Sequence, residues 1–216
     1  MTLVKICGIT NLFDALAAVA AGANALGFIF APSPREISPE EVRKIVRRLP
    51  PFVMRVGVIT GRSGAGWHGL WQDGLLDLIQ VHGEEKDLGL PIRRVIKALA
   101  VGRDKPVPHL AGKGYRALLL DTYRPGQEGG TGRTFPWEKA LPFRELGTPL
   151  VIAGGLRPEN IRAALETVRP SGVDVGSGVE SKPGRKDRRK MEEFIRQVRA
   201  WDSGLRSKEE AEDGLP

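Results

Sequence analysis

The chain has 216 residues, with 33 Lys and Arg against 26 Asp and Glu for a formal charge of +7, and 41% of its residues are hydrophobic. That length permits one large or two small domains, and a core of that size needs no disulfide or metal staple. Cys7 is the one cysteine, so an internal disulfide is excluded, and no Cys/His set has metal-ligand spacing; a reducing compartment, the cytoplasm, fits. No stretch reaches the roughly 18 apolar residues of a membrane span, and residues 1–20 lack a signal peptide's basic start and apolar run. The basic balance calls for an anion: nucleic acid, a membrane surface or a small phosphorylated substrate.

In chain order, the first predicted strand is Leu3–Ile6, followed by a helical stripe at Leu12, Ala15, Leu16 and Val19 and a second strand at Ala25–Phe30. Ser38-Pro39-Glu40-Glu41 then reads as an N-cap, a proline at the first helical position and a capping-box glutamate. Val42, Ile45, Val46 and Leu49 supply the apolar face, and Pro50-Pro51 ends the helix. After the strand Val53–Ile59, the glycine-rich Gly61–Gly69 is a weak helix start. Leu76–Val81 follows, and only about a dozen residues, Pro91 among them, separate it from Val95–Val101, so the fourth helix is expected to be short or irregular. Ala117–Leu120, Leu150–Ile152 and Val173–Val175 complete eight runs, and Met191, Phe194, Ile195 and Val198 mark a last amphipathic helix.

These runs are short and uninterrupted, as strands buried on both faces of a parallel sheet require. Their starts lie about 24 residues apart, one strand-loop-helix-loop unit each. Eight such units predict a single-domain (β/α)8 barrel over residues 1–201, with 202–216 as a polar, flexible tail. Reactive groups then belong at the C-terminal strand ends. Those exits read Lys5-Ile6-Cys7-Gly8-Ile9-Thr10, Ser33-Pro34-Arg35, Gln80-Val81-His82, Asp121-Thr122, Ala153-Gly154-Gly155 and Asp174-Val175-Gly176-Ser177-Gly178-Val179-Glu180.

The set KICGIT, SPREIS, QVHGEE, LLLDT, GGTGRTFPW, IAGGLRPENI and VGSGVESKPGRKD, in that order from about residue 3 to 200, resembles the phosphoribosylanthranilate isomerases of tryptophan biosynthesis. The resemblance implies a cofactor-free Amadori rearrangement of an aminoaldose to an aminoketose, with Cys7 as base and Asp121 as acid. Such chemistry needs one group to protonate the furanose oxygen and another to remove the neighbouring C–H proton. The thiol needs positive potential nearby, and Asp121 needs burial to keep its proton. The expected partner is a small phosphorylated substrate carrying an anthranilate carboxylate.

Arg35 is the expected carboxylate fork. Gly154 and Gly155 let backbone N–H groups approach phosphate, and Ser177-Gly178-Val179-Glu180 reads as a capping box opening a short helix beside them. Gln80, His82 and Asp174 are pocket candidates, each with a structural alternative. The glycine-rich Gly129–Phe135 stretch lacks the Walker lysine pattern and is expected to form a flap. Strand three exits through Ile59-Thr60, where relatives often carry Phe and Asn, and Gly176 stands where they commonly carry serine.

Two other functions compete. Another phosphate-binding barrel, such as a histidine-pathway isomerase or a sugar-phosphate epimerase, lacks its paired aspartates or metal-binding His/Asp here. A nucleic-acid binder could use Arg185-Lys186-Asp187-Arg188-Arg189-Lys190, but the run is expected to be a solvated helix face. No nucleic-acid or membrane partner is therefore expected, and a monomer and a homodimer are both compatible with the pattern.

Overall fold

The computed structural model describes residues 1–83, 88–101, 110, 112–122 and 134–213, with side chains to 205. Eight parallel strands close into a barrel in the order β1 to β8: Leu3–Cys7, Ala25–Ile29, Met54–Ile59, Leu78–Val81, Val95–Val101, Ala117–Thr122, Leu150–Ile152 and Gly172–Val175. Closure runs through β1 and β8, where Lys5 stands opposite Asp174. A two-stranded antiparallel hairpin, β9 (Glu180–Lys182) and β10 (Arg185–Lys186), follows the barrel strands.

Six helices are described: α1 (Leu12–Ala20), α2 (Pro39–Val46), α3 (Trp67–Gln72), α4 (Leu141–Arg144), α5 (Ile161–Val168) and α6 (Arg188–Asp213). In α2, Pro39 occupies the first turn and the Ser38 side chain accepts from the Glu41 amide, so that cap forms as its sequence dictates. Between β4 and β5 only a 3-10 turn, Ile92–Arg94, is described, in keeping with the short spacing and Pro91. α3 starts late, at Trp67, behind Gly66, which offers no capping side chain.

Strand alternation sorts the core into two layers. Leu118 and Leu120 belong to the outer cluster between sheet and helices, whereas Ala117 and Leu119 join Val56, Leu78, Ile96, Ala98 and Ala153 inside the barrel. Each inward position is thus fixed by parity. Cys7 continues the side of Lys5, and Asp121 continues that of Ala117 and Leu119.

Three local expectations are corrected. On α1 the buried positions are Asp14, Ala15 and Ala18, while Leu16 is 39% exposed, because the packed face is rotated toward the small residues. The expected tail is instead helical to Asp213, and Asp202 is buried where it accepts from the Thr2 amide (2.9 Å) and hydroxyl (2.8 Å). A polar residue at a chain end reads as solvated until its partner, 200 positions away, folds beside it. The basic run 185–190 is a solvated helix face only in its second half: Arg188, Arg189 and Lys190 are exposed on α6, whereas Arg185 and Lys186 form β10 and Lys186 is buried.

Candidate active site

A cavity of about 520 Å³ opens at the C-terminal ends of the strands, lined among others by Cys7, Arg35, Gln80, His82, Asp121 and Asp174. Gly154, Gly155, Gly176 and Ser177 line it too, from the loops after β7 and β8. The parity of β1, β4, β6 and β8 therefore delivers the predicted side chains to one mouth. Gly178 is the exception among the predicted site residues. It packs behind the wall, where an added Cβ would lie 1.8 Å from the Leu156 carbonyl oxygen, so its role is to let the two loops touch.

Asp121 is the better-tuned of the proposed pair. Burial pushes its pKa from 3.8 up to about 6; the Thr122 amide, donating to Oδ1 at 2.7 Å, pulls it back, and the Asp174 charge pushes further. A carboxyl so placed holds a proton that a solvated aspartate has lost. Gly154, at φ +80°, closes against this group: an added Cβ would stand 2.3 Å from Thr122 Oγ1 and 2.9 Å from Asp121 Oδ1. Gly155, also left-handed at φ +66°, accepts from Asn160 Nδ2 at 2.9 Å through its carbonyl.

Cys7 meets opposing influences. Burial, the largest, raises its pKa and Asp174 adds to the rise, while Lys5 and Lys186 pull it down; the net shift is upward. The thiol therefore holds its proton more tightly than an ordinary cysteine. The positive potential expected beside it is present, and it comes from two lysines that the reading of the sequence left out.

Lys5 Nζ donates to Asp174 Oδ1 at 2.9 Å, both side chains being buried. Lys186 Nζ donates to the Cys7 carbonyl at 2.6 Å, the Gly176 carbonyl at 3.1 Å and Glu180 Oε1 at 2.9 Å. Lys5 stood in the KICGIT motif two residues before Cys7, and strand parity was the signal that could have placed it on the same wall.

Glu180 does not close a capping box. Ser177–Val179 is one 3-10 turn without a side-chain cap, and Glu180 begins β9. Its carboxylate receives Arg35 Nε at Oε1 and Nη2 at Oε2, both at 2.8 Å, alongside Lys186. Burial alone would raise Glu180, but Arg35 and Lys186 hold it below the usual carboxylate range. Arg35 thus presents one edge of its fork to Glu180, and only its Nη1/Nη2 edge remains for a ligand carboxylate.

On β4, Gln80 Nε2 lies 2.8 Å from His82 Nε2. Burial, with help from Lys5 and Lys97, lowers His82 to about 4, so the ring is neutral and Nε2 accepts. Gln80 Oε1 is buried without a protein partner. Thr60 and Arg62, from the atypical exit of β3, also line the cavity. Of the expected flap Gly129–Phe135, residues 129–133 lie outside the described residues, and Phe135 is buried. Among the described residues no group of three or more His, Cys, Asp or Glu could hold a metal ion, and no helix is long and apolar enough to cross a membrane.

Residues 4–197 match the family model described as N-(5'phosphoribosyl)anthranilate (PRA) isomerase. The N-(5'-phosphoribosyl)anthranilate isomerase of Geobacter sulfurreducens is 47% identical over 204 residues, spanning 93% of this chain and all (100%) of that protein. The crystal structure of phosphoribosyl anthranilate isomerase from Thermotoga maritima superposes with a TM-score of 0.77 at 42% identity, covering 93% of this chain and 100% of that one. A structure of such an isomerase in complex with reduced 1-(o-carboxyphenylamino)-1-deoxyribulose 5-phosphate gives a TM-score of 0.73 at 39% identity, again over 93% and 100% of the two chains.

Proposed function

The chain belongs to the N-(5'-phosphoribosyl)anthranilate isomerase family and isomerises phosphoribosylanthranilate in tryptophan biosynthesis; from that premise we propose that Cys7 and Asp121 carry out the proton transfers. The observation that carries this assignment is their convergence on one cavity from β1 and β6, with Asp121 raised to about 6.

Asp121, protonated, gives its proton to the furanose ring oxygen as the bond from that oxygen to the anomeric carbon breaks. The anilino nitrogen supplies the electron pair, leaving an iminium. Cys7 as thiolate then takes the proton from the adjacent carbon, and the electrons of that C–H bond neutralise the iminium to an enolamine. Ketonisation moves the enol proton to the former anomeric carbon and yields the aminoketose. The protein has shifted one proton from Asp121 to Cys7, and its return resets the pair.

The substrate dianion fits the mouth at Gly154, Gly155 and Ser177, where two left-handed glycines keep side chains away from the approach. The relative solved with the reduced aminoketose phosphate supports a ligand of this kind. The anthranilate carboxylate is assigned to the outer edge of Arg35, and Asp174 and the Gln80–His82 pair border the sugar. We place the reaction in the cytoplasm and leave assembly to sizing: a Thermotoga maritima relative is described as a dimeric enzyme from which monomers were generated.

Fluorescence decay of freshly made phosphoribosylanthranilate tests the assignment. Cys7→Ser and Asp121→Asn are each expected to lose at least about 10²-fold in kcat with the fold retained. Near-normal kcat in either removes that residue from its role.

A further inference from the structure

The interior of a barrel is an expensive place for an ammonium. Lys5 lies in the layer just below Cys7, level across the β1–β2 and β1–β8 seams with Ala25 and Asp174, and it is 6% exposed. A buried Lys–Asp pair of this kind gives little net stability over apolar side chains of similar volume. Its retention beside the reacting thiol calls for another explanation.

Gly27 on β2 supplies the decisive geometry. A Cβ there would lie 2.9 Å from Cys7 Sγ and 3.0 Å from both Cε and Nζ of Lys5, so sulfur and ammonium face the same small gap, no more than about 6 Å apart. The missing side chain at Gly27 is the space in which the two groups meet.

We propose that Lys5 is a positioning residue for the isomerisation: clamped by Asp174, its ammonium is the counter-charge against which Cys7 becomes a thiolate. The inference rests on the reading of Cys7 as the base. The thiol proton leaves sulfur and is taken up by the Asp121 carboxylate, producing S⁻ beside NH3⁺ and a protonated acid, while Lys5 stays protonated throughout.

The other charges around the thiol do not replace it: Lys186 also lowers the thiol, but less than Lys5 does. Lys186, from β10, binds the Cys7 carbonyl and is matched by Glu180, which also holds Arg35; His82 on β4 is neutral. Asp174 on β8 and Asp121 on β6 are acidic and oppose a thiolate. Directionally, burial alone would lower Lys5, but Asp174 and Cys7 leave it raised, as a group holding its charge requires.

Cys7 is the only cysteine, so the mass of the iodoacetamide adduct, formed as iodide leaves, reports that sulfur alone. The rate of alkylation against pH, in the full chain without substrate, gives its titration midpoint. Lys5→Met is expected to raise the midpoint by about one pH unit or more, and Asp174→Asn to lower it. For Lys5→Met, kcat should fall more than KM changes.

Opposite shifts in the two variants are a signature that general loosening of the barrel does not produce. An unmoved midpoint in Lys5→Met, or shifts of the same sign in both, overturns the proposal. If Lys5→Met does not fold, Asp174→Asn decides: a lower midpoint supports the proposal and an unmoved or higher one overturns it. Failure of the base assignment itself shows separately, as retained turnover in Cys7→Ser.

Discussion

Gly154→Ala separates two roles that one glycine could play. If Gly154 serves only to let phosphate approach, a methyl group should raise KM and leave kcat alone. The structure argues for more. The added Cβ would stand 2.3 Å from Thr122 Oγ1, 2.6 Å from the Thr122 amide nitrogen and 2.9 Å from Asp121 Oδ1, at a φ of +80°. Ordinary carbon contacts begin near 3.5 Å, so the end of β6 must retreat by about 1 Å. The left-handed backbone itself costs a non-glycine residue about 1–2 kcal/mol. Displacement of a reacting group by about 1 Å costs about 10²-fold in rate, so kcat should fall by about that factor. The melting temperature should drop by several degrees, since each kcal/mol is worth about 2–4 °C in a chain of this size. Steady-state decay of substrate fluorescence, run beside thermal unfolding, gives kcat, KM and Tm together. A variant with native kcat and a raised KM would refute the argument and return Gly154 to phosphate binding alone.

Asp121→Asn should stabilise the protein while removing activity. The folded carboxyl, raised from 3.8 to about 6, binds its proton more tightly than the unfolded one. Its share of stability is therefore full below about pH 4 and lost as pH rises through 6, a burden of about 3 kcal/mol by pH 7. The asparagine variant should melt higher than the parent at pH 7.5 and lose that advantage near pH 4; equal melting temperatures at both pH values would contradict the shift. Arg35→Ala removes two charged hydrogen bonds from buried Glu180 and should cost about 1–3 kcal/mol in denaturant unfolding as well as raise KM. A rise in KM with unchanged stability would mean that the Glu180 pair is incidental. Gly178→Ala sets a Cβ against the Leu156 carbonyl, backbone on backbone, so the loops after β7 and β8 must part. Inhibition by inorganic phosphate should weaken by about an order of magnitude, and unchanged inhibition would place the anion elsewhere.

What could be read before folding was whatever depends on period and position. The eight runs, the Ser38 cap and the strand exits follow from spacing alone, so Cys7, Asp121, Gln80, His82 and Asp174 could be assigned to one mouth without coordinates. Glu180 shows where that reasoning stops. Ser177-Gly178-Val179-Glu180 has the letters of a capping box, but the carboxylate is claimed by Arg35, 145 residues earlier, and by Lys186. An ion pair desolvated by a third segment outweighs a cap worth about 1 kcal/mol. Lys186 was hidden by the same arithmetic: five charged neighbours in sequence suggest solvent, whereas its own ammonium is satisfied by two carbonyls and a carboxylate inside the fold. Local rules count neighbours along the chain, and buried charge is decided by partners across it.

The acid, the base and the two lysines must also be considered as one proton inventory. With Cys7 raised and Asp121 near 6, the pair at neutral pH holds its proton on sulfur, the reverse of what the first step requires. A bound dianion at the glycine loops adds negative charge to the same low-dielectric mouth and raises Asp121 further, while the same field also disfavours a thiolate. The substrate alone therefore cannot invert the pair; the thiolate forms at an energetic cost, and Lys5, a fixed cation on the sulfur side, reduces that cost, since without its charge and hydrogen bond the Cys7 thiol would stand higher still. Lys5 lies within about 6 Å of Sγ, buried and off the cavity wall, so its charge is aimed at the thiol rather than at the ligand. On this reasoning the pH dependence of kcat should lose its alkaline plateau in Lys5→Met before it loses substrate affinity, and a profile identical to the parent's would remove Lys5 from that role.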